Sequence, residues 1–321
     1  MPESKIAIGR PSTLADCKWC RSQILGTTIE GRCVHSDARY DNPLSGHKRF
    51  VQLACEQMEI GLDDERFEAY RVDPLPAQGS LPGILLIQEI WGVDKHIVNV
   101  ARRLARAGYL VCAPDLYSRG ERAEALTRER IEAARALLDS LPQTAWSDEG
   151  ARALAELPPD ESERVSVTLG ALFSRTGGLE VHIPALQATV RRMAEDERSN
   201  GRIASLGFCM GGSLSGLLAC HEPGLSAAVI FYGSPPPSEL LDQIEVPLIG
   251  FYGELDHRIT DSIPDFARAT EAAGKSFEHK VYSGASHAFF NDTRSSYRVD
   301  AARDSWARAL AFLNRTIGGG S

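Results

Sequence analysis

The run Gly207-Phe208-Cys209-Met210-Gly211-Gly212 sets a cysteine among glycines where an apolar strand pattern gives way to the helical pattern SLSGLLAC. This is the form of a nucleophile elbow, G-x-S-x-G, with sulfur in place of the hydroxyl. The glycines have a physical reason: a nucleophile on a tight strand-to-helix turn has strained dihedrals, and a flanking Cβ would strike neighbouring chain. The N-terminus of the following helix would face the sulfur and favour thiolate over thiol. The Met210 N–H would point to where an oxyanion develops. Taken alone, such a cysteine is more often a small buried hydrophobe. Two further residues shift the balance. Asp256 ends PLIGFYGELD and His287 ends SGASH, each just past a strand pattern, at the sheet edge where open α/β folds carry their functional loops. A helix-capping Asp and a solvated loop His are the ordinary alternatives. All three together, in the chain order nucleophile, acid, base, form the set needed for acyl transfer.

Elements able to position that set are legible around it. GILLIQ (83–88), YLVCA (109–113), RIASLGF (202–208), SAAVIFY (226–232) and PLIGFYG (247–253) are apolar runs closed by Gly or Pro breaks. The segment KHIVNVARRLARAG between the first two has apolar residues at 97, 98, 100, 101, 104 and 105, which is helical spacing. Such alternation predicts an α/β fold with a mostly parallel, doubly wound sheet and helices on both faces. KSFEHKVY (275–282) adds a strand, and 297–317 reads as a closing amphipathic helix. MEIGL and RFEAYRV, joined at Asp63-Asp64, predict an antiparallel hairpin. The expected domain is 57–317. Within it, 118–180 loses the pattern after a helix at 122–140, and so long a stretch in a compact domain predicts a helical cap. Residues 1–56 are polar, broken by Pro11 and Pro43, and read as an extension that is either unstructured or zinc-binding; 318–321 read as a flexible tail.

Composition narrows the partners. The chain has 321 residues, 43% of them hydrophobic, and a formal charge of −8. That charge disfavours nucleic acid and anionic membrane and favours a small-molecule substrate. Neither a secretory apolar segment in the first sixteen residues nor an eighteen-residue apolar run is present, so the expected location is the cytoplasm. Seven cysteines, an odd number, fit reduced thiols. The expected state is a monomer or homodimer.

With elbow, acid and histidine placed, the chain from about Met58 to Leu313 resembles the dienelactone hydrolase (carboxymethylenebutenolidase) family of the α/β-hydrolase superfamily. The likeness is carried by QEIWG (88–92), PDLYSRG (114–120), GFCMGG (207–212), SHAFFN (286–291) and the acid in GELDHR. It implies an α/β-hydrolase fold and a cofactor-free hydrolase that cleaves an ester or enol-lactone through a Cys209–His287–Asp256 triad. It assigns Glu89 the part of contacting the resting cysteine and switching it towards its reactive orientation. Ile90 would give the second oxyanion N–H beside Met210. The family's enzymes hold a substrate carboxylate with arginines, one of them four residues after the histidine, where this chain has Asn291. Asparagine cannot replace a bidentate guanidinium. Arg119 or Arg294 would have to compensate, although surface arginines are more often solvated.

Two matters stay open. Cys17-x-x-Cys20 followed by Cys33-x-His35 has the ligand types of a tetrahedral zinc, in a spacing that is only suggestive. A general thiol esterase or thioesterase, or a hydrolase-like redox or ligand sensor in which Cys209 is modified without turnover, would share the same motifs.

Overall fold

A computed structural model describes residues 51–75, 79–140, 154–174 and 178–318, together with the backbone of four short amino-terminal strands. Those strands are β1 (Gly26–Ile29), β2 (Arg32–Ser36), β3 (Tyr40–Asp41) and β4 (Lys48–Arg49). Next come β5 (Gln52–Leu62), β6 (Glu65–Leu75), β7 (Leu81–Ile87), α1 (Lys95–Arg106) and β8 (Leu110–Pro114). Helices α2 (Arg128–Ser140), α3 (Pro159–Phe173) and α4 (Ile183–Ala194) precede β9 (Ser199–Phe208), α5 (Met210–His221), β10 (Leu225–Phe231) and β11 (Leu248–Gly253). The chain closes with α6 (His257–Thr260), α7 (Ile263–Ala272), β12 (Phe277–Tyr282) and α8 (Val299–Thr316).

Ten strands form one sheet in the order β1-β2-β5-β6-β8-β7-β9-β10-β11-β12. From β8 to β12 every pairing is parallel, and from β8 back to β1 every pairing is antiparallel. The period-two geometry of a strand splits the apolar runs between two cores. Ile84 and Leu86 face Ile97, Val100 and Leu104 of α1 and Phe312 and Leu313 of α8. Leu85 and Ile87 face Leu186 and Val190 of α4 and Leu214 and Leu218 of α5. Full burial of such a side chain contributes roughly 1.5–3 kcal/mol, so continuous apolar strands sandwiched between helices are the sheet's main support. Among the described residues no helix is long and apolar enough to cross a membrane.

The hairpin turns at Asp63-Asp64, with Leu62 opposite Glu65 and Asp63 at φ 53°. Its first strand starts at Gln52, ahead of the boundary expected at 57, and β2 pairs with it from Cys33↔Cys55 to Ser36↔Gln52. The backbone of 26–29 and 32–36 therefore continues the main sheet. Strands of four and five residues with no clear alternation gave the sequence reading nothing to detect. Cys17 and Cys20 lie outside the described residues, as do the side chains of Cys33 and His35, and so does the suggested zinc site.

The region expected as an insertion contains α2 and α3, which pack together. Trp91, Ile131 and Leu172 form a small core there, with Ile90, Tyr117, Leu126 and Leu138 against it. Buried Asp115 receives Arg122 Nη2 at 2.6 Å and Arg128 Nη2 at 3.3 Å, fixing the entry to α2. The helix itself begins at Arg128, later than the 122 expected, because a 3₁₀ turn occupies Glu124–Leu126.

Candidate active site

Strand β9 ends at Phe208, helix α5 begins at Met210, and Cys209 alone makes the turn at φ 55°, ψ −117°. A non-glycine residue held there costs on the order of 1–3 kcal/mol. The strained peptide is fixed on both sides, by Cys209 N–H donating to Phe231 O at 3.0 Å and Ser213 N–H donating to Cys209 O at 3.1 Å. Close backbone approach explains the glycines. A Cβ on Gly207 would lie 1.8 Å from Gly211 O, and one on Gly211 would lie 2.4 Å from both Ile87 O and Gln88 O.

Phe208 braces the elbow from below. Its ring centroid lies 4.7 Å from that of Phe231 and 5.2 Å from that of Phe290, and Phe290 follows His287 in the same loop. One buried aromatic cluster thus ties the elements bearing the sulfur and the imidazole. Asp256 stands at the N-terminus of α6 but makes no side-chain cap bond; its Oδ2 lies 2.6 Å from His287 Nδ1. The geometry therefore gives the carboxylate to the ring and not to the helix. Burial opposes a charge on His287, yet the Cys209 sulfur and the Asp256 carboxylate outweigh it and push the imidazole pKa up to about 10. Cys209 and His287 line the same cavity.

Glu89 lies just past β7 and is 3% exposed. Tyr232 Oη donates to its Oε1 at 3.1 Å, and Asn291 Nδ2 donates to its Oε2 at 2.9 Å. Burial, followed by the Glu89 charge, pushes the Tyr232 phenol well above its ordinary value. Asn291 Oδ1 in turn accepts from Thr293 N–H at 3.0 Å and from Thr293 Oγ1 at 2.7 Å.

Cys209, Asp256, His287, Glu89 and Ile90 line one cavity of about 580 Å³. Ile90 turns its carbonyl to the Tyr117 hydroxyl at 2.8 Å, and Met210 opens α5 directly after the sulfur. Two other sequence candidates fall elsewhere. Arg119 is bound to Glu65 of the hairpin, Nε to Oε2 at 2.5 Å, on the surface and off the cavity wall. Asn291 is wholly buried behind Glu89, its polar atoms already used. Arg294, the other compensating arginine, does reach the wall. Sequence reasoning missed Trp91, Leu255 and Arg258, although all three lie inside the motifs QEIWG and GELDHR. It also missed Leu138, Asp139 and Phe173, which no motif marks.

A sequence model described as the dienelactone hydrolase family matches residues 67–317. A protein of Saccharolobus solfataricus named as a candidate carboxymethylenebutenolidase is 34% identical over 242 residues, covering 72% of this chain and 88% of its own length. A protein of the same name from Escherichia coli K12 is 31% identical over 266 residues, covering 78% and 83%. Among solved structures, a candidate dienelactone hydrolase from Klebsiella pneumoniae superposes with a TM-score of 0.59 at 27% identity, covering 82% of this chain and 99% of that one. With a strand-to-helix cysteine elbow at the C-terminal ends of the parallel strands, the fold of this chain is thus the α/β-hydrolase fold, and the match in sequence extends over both strand-end loops; this chain belongs to the dienelactone hydrolase family and is a hydrolase.

Proposed function

We propose that this enzyme hydrolyses an ester or enol-lactone by way of an acyl group carried on Cys209. The observation that carries the reading is geometric: Asp256 holds the His287 imidazole at 2.6 Å in the cavity that Cys209 lines, and the Cys209 sulfur and that carboxylate push its pKa up to about 10. An imidazolium beside sulfur is the resting state in which the nucleophile needs no further base.

In this mechanism the thiolate attacks the ester carbonyl, and the Met210 and Ile90 amides take the oxyanion. Collapse breaks the C–O bond, and His287 gives its proton to the leaving oxygen. The ring, now neutral and held in one tautomer through Nδ1–H donating to Asp256, deprotonates a water that attacks the thioester. The carboxylic acid leaves and the sulfur is regenerated as thiolate beside imidazolium. Thiolate is also a good leaving group, so activated esters and lactones suit it better than amides. Glu89 is held by two neutral donors at the cavity's inner end and in this reading positions the sulfur. The region 118–180, which supplies Leu138, Asp139 and Phe173 to the wall, acts as a cap within a domain spanning 57–317.

The test combines a chromogenic aryl ester with iodoacetamide. Cys55, Cys112 and Cys220 are buried and Cys209 is half-buried, so the last should be the most reactive of these four. Turnover is expected to fall in step with Cys209 labelling, mapped by peptide mass. Full turnover with that sulfur completely alkylated refutes the mechanism.

A further inference from the structure

The triad leaves a second arrangement on the cavity wall unused. Arg294, 16% exposed, lies with its guanidinium carbon 5.5 Å from the Trp91 ring centroid and its Nη1 3.0 Å from Asp139 Oδ1. That contact is Coulombic and not a directed bond, since Nη1 forms no hydrogen bond despite the short distance. The other Asp139 oxygen lies 3.4 Å from Arg135 Nε, and Arg135 is bound in turn to Asp94 and to Thr293 Oγ1. Two arginines and two aspartates therefore cancel, Arg294 and Asp139 on the wall and Arg135 and Asp94 behind it.

The other arginine on the lining, Arg258, is exposed on the short helix after Asp256, where salt and water screen it. Glu89 adds a negative charge at the inner end. Around these groups the surface is apolar: Ile90, Trp91, Leu138 and Phe173 line the cavity, and Phe173 and Leu255 stand open at 45% and 55% exposure. An entering carboxylate would have to draw Arg294 away from Asp139, whereas an apolar group meets a surface ready to cover it.

We infer that Asp139 sets the charge preference of this site: by neutralising Arg294 it directs the cavity to uncharged esters whose apolar part packs on Trp91, Leu138 and Phe173. The inference rests on the ester-hydrolase reading above and names its substrate class.

The probes are 4-nitrophenyl pentanoate and mono-4-nitrophenyl glutarate, similar in size and different by one negative charge, with uncatalysed hydrolysis subtracted. The native enzyme is expected to favour the pentanoate in kcat/KM. Asp139→Asn should raise the glutarate-to-pentanoate ratio roughly tenfold, the effect of one unit charge in a half-open site. Arg294→Gln should lower the ratio, and the double variant should return it close to the native value. General damage to the cavity would not reverse sign in this way. An unchanged ratio in Asp139→Asn, or a native preference for the glutarate, overturns the inference. Should neither ester turn over, the hydrolase reading fails, and the charge reading is decided separately by the affinities of the two esters for Cys209→Ala with and without Asp139→Asn. The same roughly tenfold shift supports it there, and an unaltered affinity ratio overturns it.

Discussion

Replacing Asp256 by asparagine removes one charge from the site and little volume. The carboxylate is 8% exposed and holds His287 Nδ1 at 2.6 Å, so bulk solvent screens the contact little. Burial lowers the His287 pKa, the sulfur raises it most, and Asp256 raises it through both its hydrogen bond and its charge, for a balance of about 10. A hydrogen bond to a charged group contributes roughly 1.5–3 kcal/mol, which is about one to two pH units. Both partners favour the imidazolium, so loss of Asp256 must lower the pKa. The basic limb of kcat/KM against pH should therefore move from near 10 down to roughly 8–9. The rate at neutral pH should fall as well, by roughly 10²–10⁴, because the amide no longer enforces the tautomer that abstracts a proton from water. Aryl-ester hydrolysis followed across the alkaline range reads both effects. A basic limb that stays near 10, at an undiminished rate, would show that Asp256 neither charges nor orients the ring.

Two other substitutions test the surroundings. Glu89→Gln leaves only one amide oxygen for the two donors Asn291 Nδ2 and Tyr232 Oη, so either two N–H₂ groups face each other or the Tyr232 hydroxyl must turn from donor to acceptor, and a loss of roughly 1–3 kcal/mol is expected. Adding Asn291→Asp should recover most of the lost Tm, and a pair of additive losses would contradict this account. At the opposite end of the sheet, burial raises the Asp196 carboxyl but Arg71, 2.7 Å away, brings it down to about 2. Since the folded pKa lies below the unfolded one, the stabilisation is present above about pH 4 and is lost as pH falls through about 2. Asp196→Asn should cost on the order of 2–4 kcal/mol at neutral pH and lower Tm by several degrees, and a Tm within about a degree of the native value would exclude that role.

What could be read from the sequence was whatever the backbone imposes on residue type. Gly207 and Gly211 are required because other backbone atoms lie where a Cβ would go, and that requirement is visible as letters beside Cys209. Asp256 and His287 were legible for a related reason, since each follows a strand pattern whose end is marked by glycine, Gly253 and Gly284. The opposite wall of the cavity left no such mark. Only Ile131 and Ala134 of α2 are buried, so the helix has no wide apolar stripe from which to deduce the face that presents Leu138 and Asp139. Arg119 lies in a matching motif, yet its direction is set by Glu65, a residue of the β5–β6 hairpin far from it in sequence. Asn291 could be read as a departure from an arginine, but its service to Glu89 depends on a contact spanning most of the domain in sequence.

The two sides of the site are held by different forces, and the division of labour follows from them. On the catalytic side, Phe208, Phe231, Phe251 and Phe290 pack with centroids 4.7–5.2 Å apart beneath the sulfur and the imidazole. Each such pair contributes about 0.5–1.5 kcal/mol beyond its burial, and no salt or pH change in the ordinary range weakens it. On the facing side, α2 is tied down by Arg135 to Asp94 and by Asp139 to Arg294, with side chains 14–34% exposed. Ion pairs of that exposure are individually weak and respond to screening. Substitutions beneath the elbow should therefore decide whether an acyl group is transferred at all, whereas substitutions along α2 should decide which ester arrives. A change such as Asp139→Asn can then redirect substrate choice without disturbing the 2.6 Å contact to which the proposed mechanism assigns proton transfer.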